Sequence, residues 1–319
     1  MVGERMKIYH IGIDHGDEIK TPITACIGYF DGLHLGHQKL VECVVETAKN
    51  TNTEPSLITF EPDPWKVIKH MEHIPHITPM KKRMQIGESL GIKNWIILDF
   101  TKSMANLSVE GFHQEVLGKL NLHTLVCGYD FHYAGMGKGN VDTLKSQREF
   151  EVKVVEEVDS EHQKISSTRI EKLLEDGRME KAAAIMGRAY EIEGHVKEGN
   201  HIGRTVGFPT ANLLMDDHYI TPKQGVYVGE VLCKGIWYPA IMNVGHNPSF
   251  NYQKDTSMEA HLLDFQDDIY GEAVVFRFLS FLREECRFPG KDAFMEQLKK
   301  DEQTARTYFQ KRKEGSACV

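Results

Sequence analysis

Ten residues near the N-terminus, Gly28–His37 (GYFDGLHLGH), combine residue types that proteins use to bind a phosphate chain. The segment follows an apolar run typical of a strand and precedes a run with helical spacing, so its backbone amides and the helix dipole favour an anion. Its three glycines let a ligand approach the backbone closely. His34 and His37 are three residues apart at the helix entrance, where both rings can donate hydrogen bonds to transferring phosphoryl oxygens.

A second candidate segment, Gly199–Asn212 (GNHIGRTVGFPTAN), has glycines leading into a Pro-Thr-Ala-Asn sequence. Proline stiffens the turn, which presents the hydroxyl of Thr210 and the amide of Asn212. Both oxygens are suitable hard ligands for Mg²⁺ carried by a nucleotide.

Plainer interpretations remain open for both segments. The first is compatible with a strand–turn–helix that carries two incidental histidines, or with metal binding by His34 and His37. No Cys or acidic residue accompanies these histidines at zinc spacing. The second segment, taken alone, is compatible with an ordinary Gly/Pro hairpin turn.

The first half of the chain alternates short apolar runs with amphipathic stretches such as Gly36–Asn50, in which apolar residues recur at helical spacing. This alternation predicts a mostly parallel sheet covered by helices on both faces, with ligands at the carboxyl ends of its strands. The predicted strands are Ile23–Phe30, Ser56–Phe60, Asn94–Phe100, His123–Gly128 and Phe150–Val155.

The pattern changes near Gly187–Gly199, after which strand-like runs follow one another with short turns. Successive strands of this kind predict an antiparallel barrel or sandwich. Lys291–Lys311 reads as a closing amphipathic helix. The predicted strands are Tyr190–Val196, Val226–Cys233, Ile236–Val244, Ser257–Phe265 and Ala273–Leu282.

The composition fits a two-domain soluble protein of 319 residues, with 41% hydrophobic and 26% charged residues. A net charge of −8 argues against general nucleic-acid binding, and no apolar run is long enough to span a bilayer. The six cysteines are scattered singly, as expected for free thiols in a reducing compartment. We therefore expect a cytoplasmic protein, monomeric or weakly self-associating, with neither nucleic-acid nor membrane partners.

The first motif resembles the HxGH signature of the nucleotidylyltransferase superfamily. Its FDGLHLGH sequence resembles that of bacterial bifunctional riboflavin kinase/FAD synthetases. Thr59–Pro64 (TFEPDP), Val126–Asn140 (VCGYDFHYAGMGKGN) and Ile165–Ile170 (ISSTRI) resemble that family in the expected order. The resemblance implies a Rossmann-like domain over residues 1–186, in which the phosphate of FMN attacks the α-phosphate of ATP in line, with Mg²⁺ and without a covalent intermediate.

The resemblance also implies roles for individual residues of this first domain. His34 and His37 would be catalytic, and Asp130 and Phe131 would contact the flavin. The remaining contacts to ATP would be Gly28, Phe30, Asp31, Gly32, Ser167, Thr168 and Arg169.

Residues 187–319 resemble riboflavin kinases, through GFPTAN at 207–212 and through NVGHNPSF, MEAHLLDF, IYGE and FLREECRF further along. The resemblance implies a β-barrel that transfers a phosphoryl group from ATP to the ribityl 5′-hydroxyl of riboflavin. Glu259 would be the catalytic base. The other implied contacts are Gly203, Thr210 and Asn212 to Mg²⁺–ATP, and Asn243, Phe281 and Arg283 to the flavin.

Two positions depart from the family pattern. Glu171 stands where the ISSTxxR element has arginine, which predicts repulsion of an anionic substrate, and Asp63 replaces a histidine. Three functions are therefore carried forward. The first is a bifunctional enzyme that makes FMN and then FAD from riboflavin with two molecules of ATP. The second is a single-activity enzyme with an impaired adenylyltransferase half, and the third is a flavin-binding regulator without catalysis.

Overall fold

The computed structural model describes residues 5–161, 163–198, 208–246 and 256–316. By its internal contacts the chain divides into two compact units, Met1–Ser167 and Thr168–Val319. This division lies before the boundary at residue 186 that the change in sequence pattern predicts. Two helices, Ser167–Glu175 and Met179–Met186, therefore group with the second unit. A domain boundary near residue 186 stays a prediction.

The first unit contains a six-stranded parallel sheet with the order β1-β4-β3-β2-β5-β6. This confirms the predicted Rossmann-like architecture, although the edge strand β1 was not predicted. The strands are β1 (Lys7–Ile11), β2 (Ile23–Ile27), β3 (Glu54–Glu61), β4 (Asn94–Asp99), β5 (Leu122–Gly128) and β6 (Glu151–Val155).

Helices follow most of these strands, as in other open α/β sheets. A short hairpin, β7 (Asp159–Ser160) and β8 (Gln163–Lys164), ends the unit. The helices are α1 (Leu35–Thr51), α2 (Pro64–Lys69), α3 (Met80–Ser89), α4 (Lys102–Ala105), α5 (Val109–Glu115) and α6 (Val141–Ser146), with 3₁₀ turns at Leu117–Lys119 and Gly135–Gly137.

The central strands are apolar along most of their length because both faces of the sheet are covered. In β2, Ala25 and Ile27 pack into one core cluster, whereas Cys26 packs into a second. This alternation is the period of a strand. Helix α1 contributes Val41 and Val44 to the second cluster.

The second unit is a closed antiparallel barrel with the strand order β10-β13-β12-β11-β14-β9, closed by pairing of β9 with β10. The predicted barrel is thus confirmed, although β10 was not predicted as a strand. The strands are β9 (Tyr190–Lys197), β10 (Ala211–Met215), β11 (Gly225–Cys233), β12 (Ile236–His246), β13 (Thr256–Leu262) and β14 (Ala273–Arg283).

Three helices accompany the barrel: α7 (Ser167–Glu175), α8 (Met179–Met186) and the closing helix α9 (Lys291–Ser316). Helix α9 extends beyond its predicted end at Lys311. It packs on the barrel because Ala305, Tyr308 and Phe309 join a core cluster with barrel residues. No helix in the described ranges is both long and apolar enough to cross a membrane.

Candidate active sites

A cavity of about 490 Å³ opens at the carboxyl ends of β2, β5 and β6 in the first unit. Its lining includes Gly28 after β2, Gly128 and Asp130 after β5, and Glu156 after β6. Strand order reverses between β2 and β5, and such switch points are where open α/β sheets bind ligands. The cavity therefore lies where the sequence predicted a ligand.

Two histidines line this cavity at the start of α1. His34 is the N-cap residue, and its Nδ1 accepts a hydrogen bond from the backbone N–H of His37 at 3.3 Å. The two rings stack with centroids 3.7 Å apart and an interplanar angle of 16°. The structure therefore brings His34 and His37 together at a helix N-terminus, where backbone amides favour phosphate.

The loop between β2 and α1 has an unusual backbone. Phe30, Gly32 and Leu33 have positive φ values of 56°, 81° and 38°, a backbone region that residues other than glycine rarely adopt. Phe30 is 1% exposed, and its ring meets that of His37 edge to face at 5.1 Å. Phe30 and Gly28 both line the cavity. Phe30 thus orients the His37 ring and presents only part of its surface to a ligand.

Asp31 and Gly32 do not line the cavity, in contrast to the direct ATP contact expected for them. The Asp31 carboxylate is buried and accepts hydrogen bonds from the backbone N–H groups of Ile77 and Thr78, at 3.1 and 2.9 Å. The carbonyl of Asp31 accepts a hydrogen bond from the Ser167 hydroxyl at 2.9 Å. Asp31 therefore faces the protein and holds neighbouring segments together.

Of the three predicted ATP contacts in the ISSTRI segment, Ser167 lines the cavity. Thr168 and Arg169 follow it in α7 and belong to the second unit. Their contact with ATP stays a prediction.

The predicted flavin contacts Asp130 and Phe131 both line the cavity, just beyond β5. Asp130 forms an ion pair with Lys164, which raises the pKa of the lysine. The ring of Phe131 lies parallel to that of Tyr133, with an angle of 10° and centroids 5.8 Å apart. This stacking orients Phe131 at the cavity wall.

Several cavity residues were not predicted from the sequence: Tyr29, Phe60, Trp65, Tyr129, Glu157 and Lys164. Five of them lie inside or beside recognised motifs, Phe60 within TFEPDP and Tyr129 within VCGYDFHYAGMGKGN. Tyr29 is within the glycine-rich motif, Trp65 follows TFEPDP directly, and Lys164 precedes ISSTRI directly. The motifs and the residues next to them were thus the signal in the sequence that could have identified these cavity residues.

Asp63, which replaces a family histidine, caps helix α2. Its Oδ1 accepts a hydrogen bond from the backbone N–H of Trp65 at 2.7 Å. The hydroxyl of Tyr29 donates to the other carboxylate oxygen and lies 2.8 Å from Nε2 of His76. The substitution is therefore accommodated by a polar cluster beside the cavity.

In the second unit, Glu259 and the Thr210–Asn212 segment lie side by side. The Thr210 hydroxyl donates a hydrogen bond to Oε2 of Glu259 at 3.1 Å. Asn212 of β10 is the direct partner of Glu259 of β13 in the antiparallel ladder, so the two side chains share a face. Hydroxyl, amide and carboxylate oxygens that lie together suit a hard cation such as Mg²⁺.

Glu259 and Thr210 line a cavity of about 220 Å³ between the barrel and α9, together with the predicted flavin contacts Asn243 and Arg283. The Asn243 amide donates to Glu285 at 3.1 Å. Thr210 also lines a neighbouring cavity of about 350 Å³, whose other residues include Asp267, Asp268 and Tyr270. The latter three were not predicted. Thr210 thus lines both cavities.

The side chain of Arg283 is fixed by a carboxylate from α9. Its Nε and Nη2 donate to Asp301 at 3.1 and 2.7 Å, and Asp301 is 2% exposed. The hydrogen bond that Arg283 donates to Asp301 raises the pKa of Arg283. Asp301 also accepts a hydrogen bond from Gln297 at 2.8 Å. The guanidinium is thereby held at the cavity wall.

Phe281, also expected to contact flavin, does not line this cavity. A register shift in the pairing of β11 with β14 sets Arg283 opposite Val226 and Phe281 opposite Tyr227. Adjacent residues of β11 point to opposite faces, so the bulge sends Phe281 away from Arg283. The Phe281 ring instead meets that of Tyr227 edge to face at 5.2 Å. The predicted ATP contact Gly203 lies outside the described residues.

Two family models match the chain. The FAD synthetase model matches residues 17–169, and the riboflavin kinase model matches residues 186–309. A bifunctional riboflavin kinase/FMN adenylyltransferase from Bacillus subtilis is 34% identical over 95% of this chain and 98% of its own length. The chain belongs to this bifunctional family.

Two further matches also cover most of the chain. The family member from Listeria monocytogenes is 32% identical over 89% of this chain and 92% of its own length. A crystal structure described as a macrolide-efflux protein from Streptococcus pneumoniae has a TM-score of 0.86 and 31% identity, covering 93% of this chain and 98% of that one. Because matches of this extent span both halves, the single-activity and regulatory alternatives for this family member are not favoured.

Proposed function

We propose that this chain phosphorylates riboflavin to FMN in its second unit and adenylylates FMN to FAD in its first, with ATP as the donor in both steps. The observation that carries the proposal is the presence on one chain of both family matches, each over a unit that has its own cavity.

In the second unit, the proposed reaction joins the ribityl 5′-hydroxyl oxygen of riboflavin to the γ-phosphorus of ATP and releases ADP. The alcohol must lose its proton as the phosphate arrives, and Glu259 is the proposed acceptor. Thr210 and Asn212 would orient Mg²⁺–ATP, in which the cation neutralises charge on the phosphates. The hydrogen bond from Thr210 to Glu259 supports this assignment, because it puts the base beside the proposed nucleotide ligand.

Flavin recognition in the second unit is assigned to the wall that carries Asn243 and Arg283. Arg283 is held by Asp301, so it would present a fixed group of donors to a riboflavin oxygen. Phe281 has no proposed contact with substrate. Its packing on Tyr227 supports a structural role.

In the first unit, a phosphate oxygen of FMN would attack the α-phosphorus of ATP, and the bond to the β-phosphate oxygen would break to release pyrophosphate. His34 and His37 would donate hydrogen bonds to charge that develops on the phosphoryl oxygens. Their stacking at the N-terminus of α1 supports this role, because it gives both rings access to one phosphate chain. Asp130 and Phe131 would contact the flavin.

Mg²⁺ enters the proposal as part of the nucleotide substrate. Within the described residues, no group of three or more His, Cys, Asp or Glu side chains could hold a metal ion. A cytoplasmic location and a monomeric or weakly associating chain belong to the same proposal. The free thiols of Cys26, Cys127 and Cys233 are compatible with a reducing compartment.

The proposal is tested by incubating the purified chain with riboflavin, ATP and Mg²⁺ and separating the flavins over time. FMN should appear first and FAD later, and supplied FMN should give FAD directly. Accumulation of FMN without FAD would contradict the adenylyltransferase half. Unchanged riboflavin beside conversion of supplied FMN would contradict the kinase half.

A further inference from the structure

Arg83, in helix α3, is almost completely buried, with 1% of its surface exposed. Its Nε donates to the carbonyl of Thr78 at 2.6 Å, and its Nη1 donates to the carbonyl of Tyr29 at 2.9 Å. Its guanidinium carbon lies 4.9 Å from the centre of the Tyr29 ring. A single side chain thus connects the segment before α3 to the glycine-rich loop after β2.

Asp31 completes this connection. Nη2 of Arg83 is 3.8 Å from Oδ1 of Asp31, and the two side chains are 2% and 6% exposed. The Asp31 carboxylate also accepts the backbone N–H groups of Ile77 and Thr78. Arg83 and Asp31 therefore both connect the glycine-rich loop to the segment before α3.

The glycine-rich loop needs such support because Phe30 and Leu33 have positive φ. Backbone conformations of this kind persist only where the surroundings impose them, and they cluster at functional sites. The buried ion pair is costly to desolvate and is weak evidence of a gain in stability. The contacts of Arg83 and Asp31 to the glycine-rich loop instead hold that loop in one conformation.

Arg83 does not line the cavity, so any effect on the reaction must pass through the loop. The Tyr29 carbonyl and ring that it holds belong to the same loop as His34, which caps α1 and stacks on His37. A shift of the loop would move both histidines and the backbone amides at the entrance of α1.

We propose that Arg83 is a positioning residue for adenylyl transfer, which holds Tyr29 and Asp31 so that the loop and His34 keep the geometry needed at the α-phosphate of ATP. This inference rests on the proposed function of the first unit. Misplacement of reacting groups by about 1 Å can reduce a rate by about 10²-fold, which sets the expected effect.

The test uses the full chain with Arg83→Lys and Arg83→Met. Lysine keeps the charge but cannot donate to both carbonyls and to Asp31 in the planar arrangement of a guanidinium. Arg148→Lys is the matched control, because Arg148 is exposed in the same unit. FMN formation from riboflavin, measured in the same preparations, reports on the second unit.

We expect kcat for FAD formation from FMN to fall by about 10²-fold in both Arg83 variants, with a KM for FMN within about threefold of the parent value. Arg148→Lys and the rate of FMN formation should be unaffected. The tryptophan emission spectrum, compared with that of the parent chain, reports whether the unit is folded, because Trp95 is fully buried in it. If the Arg83→Met variant does not fold, the kcat of the Arg83→Lys variant for FAD formation tests the inference.

A folded Arg83→Lys variant with a kcat within about threefold of the parent would overturn the inference. So would a rise in the KM for FMN that accounts for the whole loss, because that result indicates uniform binding. A parent chain that makes no FAD would instead refute the proposed adenylyltransferase function itself.

Discussion

Replacing Glu259 by glutamine removes the proposed base of the kinase with little change in shape. The glutamine side-chain oxygen can still accept the hydrogen bond that Thr210 donates at 3.1 Å. Residue 259 also stays within β13, which pairs with β10 on one side and β12 on the other. We therefore expect the free energy of unfolding to change by less than about 1 kcal/mol, the scale of one ordinary hydrogen bond.

The effect on catalysis should be much larger. A positioned general base contributes about 10²- to 10⁴-fold to a rate. At about 1.36 kcal/mol for each factor of ten, this is about 2.7 to 5.4 kcal/mol in the activation barrier. The fall should appear mainly in kcat for FMN formation, because the amide retains the hydrogen bond that orients Thr210.

The assay follows conversion of riboflavin to FMN, and in parallel conversion of supplied FMN to FAD. Glu296→Gln is the matched control, since Glu296 is in the same unit and forms a surface ion pair with Lys300 at 2.7 Å. FAD formation from FMN should persist in both variants. A loss of FMN formation below tenfold in Glu259→Gln, or an equal loss of both activities, would refute the assignment of Glu259.

Three further predictions concern His34, Asp301 and His113. His34→Ala should lower the rate of FAD formation by about 10²- to 10³-fold, the usual effect of one lost donor to developing charge, and leave FMN formation intact; normal FAD formation would contradict the role of His34. Asp301→Asn should lower the free energy of unfolding by about 1.5–3 kcal/mol, measured with urea, because the Arg283 guanidinium loses its charged acceptor, and it should also raise the KM for riboflavin; an unchanged KM would count against Arg283 as a flavin contact. Burial lowers the pKa of His113, so the unfolded chain binds more protons and stability should be complete above pH 6.5 and decline as the pH falls below it. Thermal unfolding between about pH 8 and pH 5 should show a weaker decline for His113→Gln, and an identical decline in variant and parent would refute this cause.

The first cavity was predictable because its main residues are contiguous in the sequence. Glycines, His34 and His37 lie within one motif between a strand and a helix, and the strand alternation predicted which edge of the sheet they occupy. The second site needed two distant segments, Thr210–Asn212 and Glu259. Only the family resemblance joined them before the ladder between β10 and β13 was known.

Strand pairing explains two of the errors. The edge strand β1 and the short β10 have few residues, and pairing with β4 and with β9 and β13 defines them. Local sequence contains no information on a partner that lies far along the chain. The placement of Phe281 also depends on pairing, because a period of two puts it on the face of Arg283, and the register shift that separates them depends on β11.

Asp31 and Arg83 show the same limit at the active site. The family resemblance implied that Asp31 contacts ATP. Its carboxylate instead accepts two backbone N–H groups from the segment before α3 and lies beside a guanidinium from α3 itself. An anionic side chain that faced ATP would repel it, whereas one that faces away and binds backbone donors can fix the loop without that repulsion. The electrostatics of the substrate thus explain why the carboxylate faces the protein, and why the loop depends on a distant arginine that no local motif could reveal.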